Sequence, residues 1–89
     1  MSFDFELSED LERTLDKLAS RDKSLAVALR KKIDQIISLD ERGIEHFKNL
    51  QGGMSHLKRV HVGSFILTFR VSGKKVIFER FAHHDDIYR

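Results

Sequence analysis

The chain has 89 residues, of which 40% are hydrophobic and 34% charged, and it contains no cysteine. This composition is typical of a soluble globular protein, and the length predicts a single domain over residues 1 to 89, too small for a large internal cofactor pocket. Without cysteine there is no disulfide and no thiolate metal site, so any chemistry must rest on nitrogen and oxygen groups. No apolar stretch reaches the roughly 18 residues of a membrane span and no signal peptide is recognisable, so we expect a cytoplasmic protein that needs no membrane.

The net charge of +2 hides an uneven distribution. Residues 1 to 43 hold 8 Lys and Arg against 10 Asp and Glu, whereas residues 44 to 89 hold 8 against 4 together with all five histidines. A basic, histidine-rich half indicates a surface that faces a polyanion, of which nucleic acid is the commonest. The alternative is an ordinary solvated strand face.

The first half predicts a strand followed by two helices. Residues 3 to 7 alternate apolar and acidic side chains, which favours a strand. Ser8 stands where a cap is wanted for a first helix with an acidic first turn. A second helix is predicted from about Lys23 to Glu41, with Gly43 at the left-handed position that ends many helices. The two helices should form an antiparallel hairpin.

The second half predicts a meander of three strands, at residues 57 to 62, 65 to 71 and 75 to 82. Gly63-Ser64 suits a type II′ hairpin turn and Ser72-Gly73 a type I′ turn. The expected fold is therefore α+β, with element order β-α-α-β-β-β: a curved antiparallel sheet of four strands with a helical hairpin packed on one face.

Strand alternation predicts which side chains face the helices. Phe65, Leu67 and Phe69 share one face of the middle strand, and the helices should cover it. The opposite, open face then carries Ile66, Thr68 and Arg70, joined by Leu57, Arg59 and His61 from the preceding strand.

The tail, residues 83 to 89, holds two imidazoles, two carboxylates, a phenol and a guanidinium. This inventory suits proton transfer near neutral pH, where imidazole titrates, at roughly 6.5. Because neighbouring residues of an extended chain point to opposite sides, His83 should point away from His84 and be structural. For the same reason we expect no metal site here.

These features together resemble a known family. The order of elements, the segments Leu50-Gln51-Gly52, 57 to 63 and 65 to 71, and the ending at residues 78 to 88 are similar to the RelE/ParE superfamily of toxins from type II toxin-antitoxin systems. Within it the chain is most similar to the YafQ-like and archaeal RelE-like mRNA interferases, which are ribosome-dependent endonucleases.

The resemblance implies RNA cleavage through the RNA's own 2′-hydroxyl, without a metal or a cofactor. By position in the motifs, His84 is the general acid and His61 the base or a phosphate orienter. Arg59 is the phosphate cation, and Tyr88 the aromatic that stacks on a base. Further RNA contacts are expected at Lys48, Lys58, Arg70 and Arg80.

Departures from the family pattern leave other functions open. Many RelE relatives carry arginine where this chain has Ile66 and His84, and the acidic and loop histidine residues of the YafQ-like branch fall at Ser64 and Lys48. One alternative is a ParE-like, non-enzymatic inhibitor of DNA gyrase. Another is a degenerate toxin that acts as a binding module.

The resemblance also implies partners. These are a cognate antitoxin, the ribosome and mRNA, with the toxin monomeric when alone and hetero-oligomeric with its antitoxin. The antitoxin should cover the basic open face and bring acidic residues to Lys58, Arg59 and Arg70.

Overall fold

The computed structural model describes residues 3 to 49 and 56 to 87. In chain order the elements are β1 (Asp4–Leu7), α1 (Glu9–Arg21), α2 (Lys23–Ile37), α3 (Glu41–Glu45), β2 (Lys58–Val62), β3 (Phe65–Ser72) and β4 (Lys75–His83). The predicted α+β class and its β-α-α-β-β-β order are confirmed, with α3 as an addition. Over the described ranges, no helix has the length and apolar character needed to cross a bilayer.

The sheet has the strand order β1-β4-β3-β2. Strands β2, β3 and β4 form the predicted antiparallel meander. β1 lies at the other edge and runs parallel to β4, with Asp4 opposite Lys75 and Leu7 opposite Phe78. The sheet is therefore mixed at this one edge. The periodicity of β1 predicts a strand but carries no information on the direction of its neighbour, which depends on the long connection through both helices.

The core lies between the helices and one face of the sheet, as predicted. Leu67 and Phe69 are fully buried there, and Phe65 packs against the same cluster. The helices contribute Leu11, Leu15, Leu29, Ile33 and Ile36. Three aromatic contacts reinforce the core. Phe69 of β3 meets Phe47, which follows α3, at a ring centroid distance of 5.5 Å. Between the neighbouring strands β3 and β4, Phe69 meets Phe78 at 5.8 Å and Phe65 stacks on Phe81 at 5.1 Å.

Side-chain caps set the boundaries of the two long helices. The Ser8 hydroxyl accepts the backbone N–H of Leu11 at 3.0 Å, which confirms its predicted role at the start of α1. Asp22 serves both helices, because its N–H donates to the Leu18 carbonyl and its carboxylate accepts the N–H of Leu25 at 3.1 Å. One residue therefore ends α1 and begins α2, which makes the turn of the hairpin short.

The predicted end of the second helix is wrong. α2 stops at Ile37, where the Ser38 hydroxyl donates to the Asp34 carbonyl at 2.7 Å. Asp40 then starts α3 by accepting the N–H of Gly43 at 2.8 Å. Gly43 thus lies inside a new helix and does not terminate the old one, because a capping aspartate three residues before it competes for its N–H.

Both hairpin turns depend on glycine. Gly63 and Gly73 have φ angles of 60° and 61°, the only positive values among the described residues. Gly63 is the first central residue of its turn, as type II′ requires. Ser72 pairs with Lys75, so the second turn is centred on Gly73-Lys74. The predicted type I′ turn at Ser72-Gly73 is wrong, since the strand extends one residue further and again places glycine first.

Candidate functional site

Arg59 begins a row of polar side chains across the open face. Arg59 of β2 pairs with Thr68 of β3, which pairs with Arg80 of β4. Residues directly opposite each other in antiparallel strands share a face, so the two arginines flank the threonine. Neighbouring strands lie about 4.8 Å apart, which puts the two arginine backbones about 10 Å from each other. The two cations therefore lie on either side of Thr68.

The next row contains His61. It pairs with Ile66, and Ile66 pairs with Ala82, so His61 faces the same side as Arg59. Two residues of a strand span about 6.6 Å, which places an imidazole beside the guanidinium of the same strand. His61 is exposed, and this is the arrangement that alternation along β2 predicts.

The tail covers part of this open face. Ile66 and Thr68 lie on it and yet are 2% and 1% exposed. Ile87 is equally buried, and its carbonyl accepts a hydrogen bond of 3.0 Å from the Arg80 guanidinium. The Thr68 hydroxyl accepts the N–H of Arg80 at 3.1 Å. The chain after β4 therefore folds back over the centre of the open face and leaves Arg59 and His61 at its border.

Arg59 is half-buried and incompletely satisfied. Its Nε atom is buried without a hydrogen-bond partner among the residues that the structure describes. Its backbone N–H donates to the carbonyl of Lys48 at 2.8 Å, which brings the predicted RNA contact Lys48 alongside. A buried donor without an acceptor is costly, and the described residues offer no acceptor to this atom.

His84 lies at the same end of the sheet as His61. Its backbone N–H donates to the Ser64 carbonyl at 3.1 Å, in the turn that follows β2. Its ring Nδ1 lies 3.3 Å from the same carbonyl, and its Nε2 lies 3.0 Å from an Asp85 carboxylate oxygen. The ring is therefore oriented by one partner on each nitrogen.

The prediction that His83 points away from His84 is wrong. The two ring centroids are 4.4 Å apart with a tilt of 36°, and both rings contact Asp85. Strand alternation fails here because β4 ends at His83 and the following residues form a turn. The absence of a metal site was predicted from the same alternation, so that prediction has lost its basis.

Two predicted RNA contacts are placed differently from the open-face cluster. Lys58 pairs with Phe69, so it lies on the helix side, where its ammonium group donates to the carbonyl of Phe47 at 3.3 Å. The expectation that Lys58 belongs to the open face is wrong, since its parity is opposite to that of Arg59. Arg70 is on the open face but forms an ion pair of 2.8 Å with Glu79. Tyr88 lies outside the described residues.

Comparisons with known proteins agree with this architecture. No family model matches the chain. A protein of Methanocaldococcus jannaschii with the provisional name toxin RelE4 is 39% identical over 90 residues, which cover 98% of this chain and 92% of that protein. The chain belongs to the RelE/ParE superfamily of toxins.

Solved structures show the same fold for this RelE-type toxin. YafQ from E. coli superposes with a TM-score of 0.74 at 18% identity, covering 98% of this chain and 99% of that one. YafQ in the E. coli DinJ-YafQ toxin-antitoxin complex gives 0.72 at 21% identity, with both chains fully covered. The RelBE2 toxin-antitoxin complex of Mycobacterium tuberculosis gives 0.68 at 16% identity, covering 94% of this chain and all of that one.

The structure adds three groups of the RelE-type toxin that sequence reasoning did not assign to the site. The Ser64 carbonyl holds the His84 ring, and a backbone acceptor leaves no signal in the sequence. Asp85 contacts both tail histidines and could have been found from its place beside them. Thr68 separates the two arginines, and its polar side chain in an apolar strand was the available signal.

Proposed function

We propose that this toxin is a ribosome-dependent mRNA endonuclease that uses the RNA's own 2′-hydroxyl as the nucleophile. A base removes the 2′-hydroxyl proton, the oxygen attacks the adjacent phosphorus, and an acid protonates the departing 5′-oxygen. The products are a 2′,3′-cyclic phosphate and a 5′-hydroxyl. The observation that carries the proposal is the row of Arg59, Thr68 and Arg80, with His61 beside it and His84 at the same end of the sheet.

The contacts of His84 support its role as the general acid. A carbonyl oxygen can only accept, so Nδ1 facing Ser64 carries a proton. Nε2 faces a carboxylate oxygen of Asp85, and a proton on that nitrogen satisfies this acceptor as well. The doubly protonated ring thus has an acceptor for each N–H. It is the form that can donate a proton, and the leaving 5′-oxygen would take the place of the Asp85 carboxylate at Nε2 to receive it.

His61 is left for the 2′-hydroxyl side of the reaction, as base or as phosphate orienter. It is exposed on the open face, in the row next to the arginines. Arg59 and Arg80 would hold the phosphate, since guanidinium groups bind phosphate oxygens in a bidentate way, and Arg80 would do so beside its hydrogen bond to the Ile87 carbonyl. These cations would stabilise the charge that builds on phosphorus during attack.

Residues at the border of the site would contact the RNA on either side of the cleaved phosphate. Lys48 is exposed and hydrogen-bonded through its carbonyl to Arg59, so it can meet a neighbouring phosphate. Tyr88 follows Ile87 directly, and we assign it a stacking contact with a base, a type of contact worth about 1 to 3 kcal/mol. Lys58 and Arg70 play smaller parts in this proposal than the sequence suggested, because one lies on the helix side and the other is ion-paired.

The test is cleavage of a ribosome-bound mRNA by purified toxin in the presence of a chelator. Removing one acid-base group typically lowers the rate by roughly a hundred- to ten-thousand-fold. We therefore expect His84→Ala and His61→Ala to lose cleavage by such factors, whereas His46→Ala, an exposed histidine next to α3, serves as the matched control and should cleave normally. Circular dichroism confirms that each variant is folded.

The chemistry is tested separately from the residues. A substrate with 2′-deoxyribose at the cleavage position should resist the enzyme, and the natural product should end in a 2′,3′-cyclic phosphate. Full cleavage by His84→Ala would refute the assignment of the acid. Loss of wild-type activity with chelator would refute the metal-free mechanism. Inhibition of DNA gyrase supercoiling without RNA cleavage would support the ParE-like alternative, and neither activity would indicate a binding module.

We further propose that an antitoxin covers the open face. Several of the structural neighbours are toxin-antitoxin complexes, among them DinJ-YafQ and RelBE2. The row of Arg59 and Arg80 would attract an acidic segment of such a partner. The toxin alone should then elute as a monomer, and Arg59→Ala should weaken the complex. A stable homodimer that buries the open face would contradict this arrangement.

A further inference from the structure

The turn after β4 gathers three potential metal ligands. His83, His84 and Asp85 each offer one nitrogen or oxygen atom, and these three atoms lie within 4.8 Å of one another. The Asp85 carboxylate is 3.5 Å from Nδ1 of His83 and 3.0 Å from Nε2 of His84. Two ligand atoms bound at about 2.05 Å to one tetrahedral ion are about 3.3 Å apart. The two measured separations, which run to different oxygens of the Asp85 carboxylate, are close to that value, and a set of one ligand atom from each residue lies within 4.8 Å.

The hydrogen bonds around the cluster orient its lone pairs inward. Nδ1 of His84 faces the Ser64 carbonyl and so carries the hydrogen, which leaves the Nε2 lone pair of a neutral ring directed at Asp85. Metal-bound histidines usually donate their other N–H to a carbonyl or carboxylate in this way. Nδ1 of His83 accepts the backbone N–H of Asp85 at 3.2 Å, so its lone pair is also on the Asp85 side.

A neutral His84 ring places a lone pair opposite a negative oxygen at 3.0 Å. A cation between the two atoms relieves this repulsion, and it can be a proton on Nε2 or a metal ion. The side chains of His83, His84 and Asp85 are 37%, 55% and 69% exposed, so an ion can enter from solvent without opening the fold. Binding through Nδ1 of His83 exchanges its hydrogen bond with Asp85 for a metal bond.

We propose that His83, His84 and Asp85 form a binding site for a divalent transition-metal ion. Two imidazoles with one carboxylate suit Zn²⁺, Cu²⁺ and Ni²⁺, and not Mg²⁺ or Ca²⁺, which prefer oxygen ligands alone. Three protein ligands leave at least one coordination position for water. The ion would occupy the position of the acidic proton on Nε2 of His84. An ion at Nε2 would prevent His84 from acting as the acid, so metal binding switches the toxin off. This consequence, unlike the metal site itself, rests on the proposed endonuclease mechanism.

The experiment is a Zn²⁺ titration of the full, tag-free toxin in competition with a chromophoric chelator. We expect one ion per chain. His83→Ala and Asp85→Asn should weaken binding by about tenfold or more, on the scale of losses seen when groups around a metal are removed. His46→Ala and His56→Ala, both exposed histidines away from the cluster, are the matched controls and should bind as wild type does. Mg²⁺ should not compete.

Electron paramagnetic resonance with Cu²⁺ as the probe identifies the ligands directly. The wild type should show coupling to two imidazole nitrogens and His83→Ala to one. The proposal is overturned if His83→Ala and Asp85→Asn bind Zn²⁺ like the wild type, or if a control variant loses binding equally. A folded toxin that binds Zn²⁺ through these residues but never cleaves RNA refutes the endonuclease and leaves the metal site standing. Cleavage that is unaffected by saturating Zn²⁺ refutes the switch.

Discussion

Truncation of Phe69 to alanine tests the packing that places the candidate site on the open face. Phe69 is fully buried on the helix side of β3. In the same strand Thr68 and Arg70 point the other way, toward the site. If the side chain of Phe69 is central to the core, the assignment of both faces is correct.

The magnitude follows from the contacts of the ring. Replacing a buried phenylalanine by alanine costs about 3 to 5 kcal/mol. Phe69 also makes ring contacts with Phe47 and Phe78, at 5.5 and 5.8 Å between centroids. Because each such pair adds about 0.5 to 1.5 kcal/mol beyond the buried area, we expect a loss in the upper part of the range, about 4 to 5 kcal/mol. A chain of this length has a total stability of about 4 to 13 kcal/mol, so the variant will be marginal.

Urea denaturation followed by circular dichroism measures the free energy of unfolding. Phe69→Leu leaves a smaller cavity, and it provides a folded variant with an intermediate loss. Phe5→Ala is the matched control, because Phe5 is 50% exposed on the edge strand β1 and should lose less than half as much. A loss for Phe69→Ala no larger than that of Phe5→Ala would show that the helices do not cover this face, and the site built on the opposite face would fall with it.

Two other substitutions test local structure by the same measurement. Ser8→Ala removes a hydroxyl that accepts the N–H of Leu11 and donates to the carbonyl of Glu79, so it should lower the free energy of unfolding by about 1 to 2 kcal/mol. The control Ser20→Ala, on the exposed surface of α1, should stay within about 0.5 kcal/mol of wild type. Equal losses would argue against the cap. Gly73→Ala should lower the free energy of unfolding by about 1 to 2 kcal/mol. The φ angle of Gly73 is 61°, and an added Cβ would meet no atom within 4 Å, so the loss comes from backbone strain alone. Unchanged stability would contradict the type II′ turn.

Regular elements made much of this fold and site predictable. Alternation along the meander places Arg59 and His61 opposite Val60 and Val62, and one buried face follows from that rule alone. The same rule, applied to Lys58, places it on the helix side, so its assignment to the open face was an avoidable error. Alternation could not predict that β1 runs parallel to β4, because the direction of β1 relative to its neighbour depends on which edge of the sheet the chain reaches after both helices.

The tail could not be predicted because it leaves regular structure at a point that the sequence does not mark. Alternation is already interrupted within β4, where the pairing with β3 shifts between Thr68 and Phe69, so that both Phe78 and Phe81 lie in the core. From His83 onward, alternation would send His84 to the other side of the sheet. The chain turns there instead, and the carbonyl of Ser64 and the carboxylate of Asp85 determine where the His84 ring points. Burial of Ile87 on the open face is a second result of this turn. Hydrogen bonds between the turn after β2 and the tail, distant in sequence, therefore set the geometry that strand periodicity cannot supply.

Many RelE relatives carry an arginine where this chain has Ile66. The surroundings of Ile66 show why the candidate site would have to work without a cation at that position. Ile66 is 2% exposed between His61 and Ala82, so a guanidinium at this position would have to displace the packing beneath the tail. The positive charge lies instead one row away, on Arg59 and Arg80. Arg70, the other candidate on this face, is engaged by Glu79 at 2.8 Å, whereas the Nε of Arg59 is buried with no acceptor from the described part of the chain. In the proposed mechanism Arg59 is therefore the residue of this face that would replace the missing cation, because phosphate oxygens accept charge-assisted hydrogen bonds from a guanidinium.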